Sequence, residues 1–254
     1  MCNGNTVGFA LLKELINSND WNYCEHRERI KGVDVYWLHT LDATYWEEAS
    51  RLISQHQLIF NRMPGLEVAA GNKKSQARIF DRLSNFDADL FNFVPRSFLL
   101  PKDRDTLETY MGKGNKTFIC KPREGCQGAG IVIVKKFRDL PSFVVNSADY
   151  VVQEYIENPM LIGGKKFDLR VYVLVTDLGN SEGKPVISFM SEEALVRFCT
   201  EDYVKPSSGN MHNLLSHLTN YSLNKNSDKF VEEDIDAEVQ AENLSKRTLS
   251  SVLK

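Results

Sequence analysis

The stretch VVQEYIENPMLIGGKKFDLRVYVLV, residues 151–175, carries the strongest signal for the fold of this chain. It is built from β-branched apolar runs, and polar side chains stand where each run stops. Residues 151–154 are predicted to form one strand, and residues 169–176 a long apolar strand. Apolar strands that each deliver one or two polar groups suit a sheet-built pocket for a polyanion such as a nucleotide triphosphate.

Inside this stretch, Lys166-Phe167-Asp168-Leu169-Arg170 alternates between polar and apolar residues. Lys166, Asp168 and Arg170 would therefore share one face of a strand. Two cations around a carboxylate suit a ribose and phosphate site, and an arginine can hold a carboxylate or acyl phosphate through two parallel hydrogen bonds. An exposed strand face held by salt bridges explains this pattern equally well.

Upstream lies KPREGCQGAG, residues 121–130, between two predicted strands at residues 117–121 and 131–135. Lys121 can meet a phosphate as a point charge, and the glycines allow backbone N–H groups to come close to it. No GK[ST] follows, and a strand rather than a helix comes next, so neither a Walker loop nor a dinucleotide fingerprint is present. Taken alone, the segment fits a glycine-rich hairpin with a surface lysine just as well.

Three further segments place polar groups beside apolar runs. Gln153-Glu154-Tyr155-Ile156 offers amide and backbone groups suited to an adenine edge, although an ordinary strand leaving the core is the simpler interpretation of this segment alone. Residues 217–222, HLTNYS, offer imidazole, hydroxyl and amide groups, which usually satisfy each other in turns. Arg197 interrupts the apolar residues 194–198 and requires an anionic partner.

Composition narrows the class of protein. The chain has 254 residues, of which 42% are apolar and 26% charged, so it is globular. The formal net charge of −3 excludes a global positive field, and no nucleic-acid partner is expected. Five cysteines without a CxxC pair indicate a reducing compartment. No apolar run reaches the roughly 20 residues of a membrane span, so a cytoplasmic protein without a membrane partner is predicted.

Alternating strand and helix patterns predict an α/β (α+β) chain in three parts. These are an N-terminal α/β domain at residues 1–95, a central domain at 96–165 and a C-terminal domain at 166–254. In the first part, helices are predicted at residues 7–16, from Asp42 onward and at 73–90, with strands at 33–38 and 58–60. After residue 224 the chain becomes polar and acidic, which fits either a solvated amphipathic helix or a flexible extension.

Taken in order, the segments KP…GCQG.GI, QEYIENP, KKFDLR, EEALVRF and HLTNYSLNK closely resemble the tubulin–tyrosine ligase-like family. The GCQG and QEYIENP forms are most similar to its polyglutamylase branch, and the resemblance covers residues 60–230. It implies an ATP-grasp fold, in which the nucleotide lies between two sheets. It also implies an ATP-dependent ligase that adds glutamate to a side-chain carboxylate of tubulin through an acyl phosphate.

The resemblance assigns roles to individual residues. Arg170 is implied at the terminal phosphate or acyl phosphate and Arg197 at the incoming amino acid, which makes both catalytic; Ser222 is implied as a second contact to the amino acid. The residues implied to bind ATP are Lys73, Lys121, Gln127, Gly128, Gln153, Glu154, Tyr155, Ile156, Lys166, Phe167, Asp168, His217, Thr219 and Asn220.

The implied cofactors are ATP and Mg²⁺, and the implied partners are free glutamate and the acidic tails of tubulin in microtubules. The implied locations are the cytoskeleton and, within it, the cilium or basal body. Magnesium in this family is bound by an aspartate and by an E-x-N strand, for which no clear counterpart is found before Lys254. Glu242-Asn243 lies in a polar helical stretch, so no metal ligand is predicted.

Two alternatives stay open at this point. One is a catalytically inactive, truncated ATP-grasp module that binds nucleotide, tubulin or both, suggested by the missing magnesium ligands. The other is an ATP-grasp ligase that acts on a small peptide, against which only the resemblance of the KFDLR and HLTNYS segments argues. The resemblance favours glutamate over glycine or tyrosine as the added amino acid. It does not distinguish α- from β-tubulin.

Overall fold

The computed structural model of the chain describes residues 7–19, 21–22, 35–37, 58–60, 66, 71–123, 128–232 and 244–254. Its contacts divide the chain into two compact units, residues 1–76 and 77–254. The mixed α/β class predicted from the sequence is confirmed by the elements of both units. The finer division into three domains stays a prediction. Over the described ranges, every helix is too short or too polar to cross a lipid bilayer.

The first unit contains a helix and a parallel strand pair. Helix α1 spans Val7–Ser18, and strands β1, Val35–Trp37, and β2, Leu58–Phe60, pair in parallel. These three predictions are confirmed, whereas the helix predicted from Asp42 lies outside the described residues.

Helix α2 spans Lys73–Phe86 and crosses the boundary between the two units. Asn72 caps its start, because its side-chain oxygen accepts a hydrogen bond from the backbone N–H of Ser75 at 2.8 Å. The sequence predicted the helix as far as residue 90, and the structure ends it four residues earlier. The carboxylate of Asp87 accepts from the backbone N–H of Leu90 at 3.0 Å, and this local turn competes with another helical turn.

The second unit begins with a four-stranded antiparallel sheet, called the central sheet here. Its strands are β3, Ser97–Leu99, β4, Phe118–Pro122, β5, Val132–Val134, and β6, Tyr150–Glu154, in the spatial order β3-β6-β4-β5. The hairpin predicted around the glycine-rich turn is confirmed, since β4 and β5 pair directly. Two short helices follow the sheet's strands: α3, Arg104–Gly112, and α4, Ser142–Val145.

Apolar side chains cover both faces of the central sheet. Phe118 and Cys120 of β4 point to the face on which α3 packs, and Ile119 points to the opposite face. The first core consists of Phe98, Leu100, Leu107, Met111, Phe118, Cys120, Val134, Leu140, Val144 and Val152. The second core consists of Ile119, Ile133, Tyr155 and Leu218. Because Leu218 comes from the HLTNYS segment, this second core fixes that segment against the sheet.

The second four-stranded sheet, called the C-terminal sheet here, has the order β12-β11-β8-β7. Its strands are β7, Leu161–Ile162, β8, Lys165–Arg170, β11, Leu195–Phe198, and β12, Lys246–Thr248. Strands β9, Val173–Asp177, and β10, Ile187–Met190, form a separate hairpin with exposed apolar side chains. Helix α5 spans Tyr221–Asn224 and helix α6 Leu249–Val252.

One prediction for this region was wrong, and one strand was missed. Residues 169–176 are not one long strand, because β8 ends at Arg170 to pair with β11, whereas β9 begins at Val173 to pair with β10. Strand β12 was not predicted at all. Its sequence Lys246-Arg247-Thr248 is polar and has no apolar alternation, and it becomes a strand by pairing with β11. The helix suggested for the acidic segment lies outside the described residues.

Candidate functional site

A chain of hydrogen bonds crosses three strands of the central sheet and ends at Lys121. The ammonium of Lys121 donates to Oε1 of Gln153 at 2.7 Å. The amide nitrogen of Gln153 donates in turn to Oγ of Ser97 at 2.9 Å and to the carbonyl of Pro95 at 3.3 Å. These contacts fix the orientation of the Gln153 amide, which directs its oxygen at the lysine. The position of the Lys121 ammonium is therefore set by the sheet.

Lys166 of β8 reaches across to the end of the central sheet. Its ammonium donates to Oη of Tyr155 at 3.1 Å and to the backbone carbonyl of His217 at 2.8 Å, and it lies 4.5 Å from the centre of the Tyr155 ring. Tyr155 follows Gln153 by two residues on an extended chain, which is a separation of about 7 Å. Lys121 and Lys166 are thus hydrogen-bonded to neighbouring residues on one face. Both cations therefore lie at side chains of the segment from Gln153 to Tyr155.

Burial shifts the pKa values of Lys166 and of the groups around it. Desolvation lowers the pKa of Lys166, and it lowers the pKa of His217, which the charge of Lys166 lowers further. Burial raises the pKa of the Tyr155 hydroxyl, so this group stays protonated. The Lys166 ammonium can only donate, so the Tyr155 oxygen accepts its hydrogen bond. The Tyr155 hydroxyl proton is then donated to Nδ1 of His217 at 3.2 Å, and a neutral imidazole can accept it there. A nearby phosphate would favour the protonated form of Lys166.

His217 itself is fully buried between two aromatic rings. Tyr155 and Tyr203 contact it edge to face, with ring centres 5.7 and 5.9 Å away. Its side chain therefore supports Tyr155, and its backbone carbonyl holds Lys166. Among the residues of the HLTNYS segment, the structure brings His217 to the site through these two contacts.

Asn220 meets the glycine-rich turn. A Cβ atom on Gly128 would lie 3.5 Å from the Asn220 side chain, and Gly128 has a φ of +83°, which favours glycine. The turn after β4 and the HLTNYS segment therefore lie against each other. Gln127, the other residue predicted in this turn, lies outside the described residues.

A row of charged residues crosses the C-terminal sheet. Arg197 of β11 pairs with Asp168 of β8 on one side and with Lys246 of β12 on the other. Arg197 holds Asp168 through two hydrogen bonds, Nε to Oδ1 at 2.9 Å and Nη2 to Oδ2 at 2.5 Å. These bonds raise the pKa of Arg197 despite partial burial. The anionic partner that the sequence required for Arg197 is thus Asp168.

Several predicted site residues lie apart from this arrangement. The Glu154 carboxylate points to the other side of the central sheet, where it accepts hydrogen bonds from Tyr110 and from Lys116. Phe167 packs on the ring of Phe198, on the face of the C-terminal sheet opposite to Lys166. Roles at the nucleotide for Glu154 and Phe167 stay predictions.

Other predicted residues have less distinctive surroundings. Ile156 and Arg170 are exposed, while Thr219 and Ser222 are partly buried. The predicted roles of these residues are not tested by the geometry and stay predictions. So does the role of Lys73, which stands at the start of α2 in the first unit, whereas Lys121 and Lys166 lie in the second.

Sequence reasoning missed Asn224, which joins the two halves of the site. Its Oδ1 accepts from the backbone N–H and the hydroxyl of Thr200, at 2.8 and 2.9 Å, just beyond β11. Its Nδ2 donates to the backbone carbonyls of Leu218 and Asn220 at 2.7 and 3.0 Å. All its polar atoms are used while it is 1% exposed. An asparagine in an LNKN sequence gives no signal of this, because such residues are typical of surface turns.

The described residues contain no cluster of metal-ligating side chains. No group of three histidine, cysteine, aspartate or glutamate side chains is placed to hold a metal within the described ranges. Both carboxylate oxygens of Asp168 are bound to Arg197. Glu242 and Asn243 lie outside the described residues.

Comparison with known proteins gives consistent matches. A model of the Tubulin-tyrosine ligase family matches residues 36–253. Tubulin polyglutamylase ttll6 of Danio rerio is 36% identical over 231 residues, which cover 90% of this chain and 27% of that protein. Tubulin polyglutamylase TTLL11 of Mus musculus is 36% identical over 228 residues, covering 87% and 29%. Tubulin polyglutamylase TTLL6 of Homo sapiens is 40% identical over 171 residues, covering 67% and 18%.

The similarity confirms the family resemblance seen in the motifs. This chain spans less than a third of the length of each of these relatives, as the shares of 27%, 29% and 18% show. The matched region includes both sheets of the second unit and strands β1 and β2 apart from the first residue of β1.

Proposed function

Since the chain belongs to the tubulin-tyrosine ligase family, we propose that it acts as an ATP-dependent ligase that adds glutamate to a side-chain carboxylate of tubulin. The named relatives are tubulin polyglutamylases, which supports tubulin as the acceptor and free glutamate as the donor. The same relatives support a location at the cytoskeleton. The cilium or basal body is a narrower expectation from the motif resemblance.

One observation carries the proposal: Lys121 and Lys166, from different sheets, are fixed on one face through Gln153 and Tyr155. Two cations at neighbouring points of a partly buried surface suit the phosphates of ATP. The Tyr155 hydroxyl and the His217 imidazole beside Lys166 are kept uncharged by burial, so neither adds negative charge to this surface. The segment beside them, residues 153–156 at the end of β6, is the one predicted to contact the adenine.

The proposed reaction has two steps. An acceptor carboxylate oxygen attacks the γ-phosphorus of ATP, and the bond from that phosphorus to the β,γ-bridging oxygen breaks. ADP departs, and the acceptor carboxylate has become an acyl phosphate. The amino nitrogen of glutamate then attacks the acyl carbon, inorganic phosphate leaves, and the nitrogen loses a proton to solvent. The protein contributes position and positive charge rather than a nucleophile, with Lys121 and Lys166 as the phosphate-binding groups.

The test is incorporation of radiolabelled glutamate into tubulin with Mg-ATP. The variants Lys121→Met and Lys166→Met should each lower incorporation about ten- to a hundredfold, because each removes a charge-assisted contact to phosphate. Lys136→Met is the matched control, since Lys136 is an exposed lysine directly after strand β5 and is not a partner in the hydrogen bonds described for Lys121 and Lys166. Its incorporation should equal that of the natural chain.

A thermal-shift titration separates this proposal from a non-catalytic module. Mg-ATP that binds the folded state raises the melting temperature of the natural chain, and the shift should shrink in both lysine variants but not in the control. A shift without any incorporation would reject the ligase and support a nucleotide-binding module. A chain that gives neither signal would contradict both.

A further inference from the structure

We propose that Lys246 binds a carboxylate of the acidic peptide substrate, acting beside Arg197 and held in place by the ring of Tyr221. This inference rests on the proposed function, since it names how that site recognises its acceptor. The motif resemblance assigns no role to Lys246. Its position follows from the register of β12, a strand that the sequence did not predict.

The charge balance of the row across the C-terminal sheet is the first argument. Asp168, Arg197 and Lys246 stand side by side on β8, β11 and β12 and share one face. The row contains two cations and one carboxylate. Both oxygens of that carboxylate are engaged by Arg197, at 2.9 and 2.5 Å. One positive charge of the row is therefore left without a matching anion.

The geometry of Arg197 is the second argument. A guanidinium holds a carboxylate most strongly through two parallel donors on one edge. Asp168 takes Nε and Nη2, which leaves a substrate carboxylate only the remaining edge of the group. A second cation on the same face would add to the attraction that Arg197 exerts through that edge. Lys246 is the residue at that position.

The surroundings of Lys246 are the third argument. The side chain is partly buried, and no ion pair holds it within the part of the chain that the structure describes. Its ammonium stands 6.0 Å from the centre of the Tyr221 ring, and Lys225 stands 5.7 Å from the same ring. A cation over an aromatic face keeps its full charge and gains a preferred direction. This arrangement attracts an anion.

The openness of this position favours a peptide over free glutamate. Strand β12 is the edge of its sheet in the described structure, and Tyr221 is 42% exposed. An extended acidic segment can reach both from solvent. Free glutamate is the other source of a carboxylate, and the experiment separates the two.

The test measures binding of a fluorescein-labelled hexaglutamate peptide to the full chain, with hexaglutamine as the neutral probe. The natural chain should prefer hexaglutamate, and Lys246→Met should weaken that binding about five- to tenfold, as expected for loss of one partly desolvated ion pair. Lys246→Arg should restore most of it. Lys225→Met is the matched control, since Lys225 contacts the same ring but lies outside the charged row, and it should change binding less than twofold.

Several results would overturn the inference. Equal binding of the two peptides, an unchanged affinity in Lys246→Met, or equal losses in the Lys246 and Lys225 variants would each do so. Competition with free L-glutamate that displaces the peptide from the natural chain but not from Lys246→Met would assign the site to the amino acid instead of the peptide. Peptide binding is measured without catalytic turnover. A chain that binds the peptide but adds no glutamate would therefore contradict the proposed reaction and leave the binding result valid.

Discussion

The two sheets of the second unit each have four strands, but they differ in how far their side chains are buried. The central sheet is covered by apolar side chains on both faces, and its strands bury residues such as Phe118, Cys120 and Val152 almost completely. The C-terminal sheet leaves much of its surface open, and Leu169 on β8 is 47% exposed. In the central sheet Lys121 is bound to an amide, whereas in the C-terminal sheet Arg197 is bound to a carboxylate.

This difference in burial implies that the two sheets contribute differently to stability and to substrate binding. Buried apolar area is the main source of folding free energy, so the central sheet should account for most of the stability of the unit. Exposed ion pairs contribute little to stability but set the local field. The C-terminal sheet should therefore matter more for substrate binding than for folding. The network of Tyr155, Lys166 and His217 joins the two.

The largest effect should come from a cavity in the central sheet. Phe118→Ala should lower the free energy of unfolding by about 3–5 kcal/mol, because Phe118 is 1% exposed and nothing can fill the space it leaves. Leu169→Ala, the matched change in the C-terminal sheet, should cost less than about 1 kcal/mol. Urea denaturation of both variants measures this. Similar losses in the two would show that the sheets do not differ as described.

The next largest effect should come from the link between the sheets. Asn224→Ala leaves the hydroxyl and N–H of Thr200 and the carbonyls of Leu218 and Asn220 without their partner. Unsatisfied buried groups cost about 1–3 kcal/mol each, and relaxation recovers part, so a loss of about 2–3 kcal/mol is expected. Asn226→Ala is the control, since the exposed side chain of Asn226 donates a hydrogen bond to the Ser222 carbonyl. If thermal melts of the two variants coincide, Asn224 is not the link.

A smaller effect on stability, with a larger one on binding, is expected for Asp168→Asn. The pair with Arg197 is partly exposed, at 26% and 38%, so its loss should cost about 1 kcal/mol. Removing the carboxylate adds positive charge beside Lys246, so hexaglutamate should bind several-fold more tightly. Asp177→Asn breaks the Lys184 pair on the β9–β10 hairpin and should leave peptide binding unchanged. Weaker binding in Asp168→Asn would contradict this assignment.

The smallest effect should appear in the pH dependence of stability. The pKa of His217 is lowered from 6.5 by burial and by Lys166, so the folded state takes up a proton less readily than the unfolded state. Stability should fall as the pH drops below about 6.5, by at most about 1.4 kcal/mol per pH unit. The groups facing His217 are Lys166, Tyr155 and Tyr203.

Urea midpoints at pH 7.5 and 5.5 measure this dependence. His217→Gln should reduce the fall, and His212→Gln, a change at an exposed histidine, should keep it. A natural chain equally stable at both pH values would show that the imidazole is not held neutral. Should His217→Gln fail to fold, the midpoints of the natural chain still decide the matter.

Local patterns were sufficient for most strands near the site. The hairpin around the glycine-rich turn, the strand that ends at Glu154 and the alternation of Lys166, Asp168 and Arg170 were all read from residue order, since apolar periodicity is a local property. The break after Arg170 was not, because two different partner strands impose it. The function of Lys121 and Lys166 at a nucleotide stays a prediction until it is measured.

The sequence by itself determined the family and the mixed α/β class, because these depend on motifs and on short-range periodicity. Only the tertiary structure decided that Asp168 forms an ion pair with Arg197 and that Lys246 stands beside Arg197. It also decided that Asn224 connects Thr200, just beyond β11, to Leu218 of the HLTNYS segment. Partners far apart in sequence leave no local signal, since hydrogen bonds and strand register depend on distances that exist only in the folded chain.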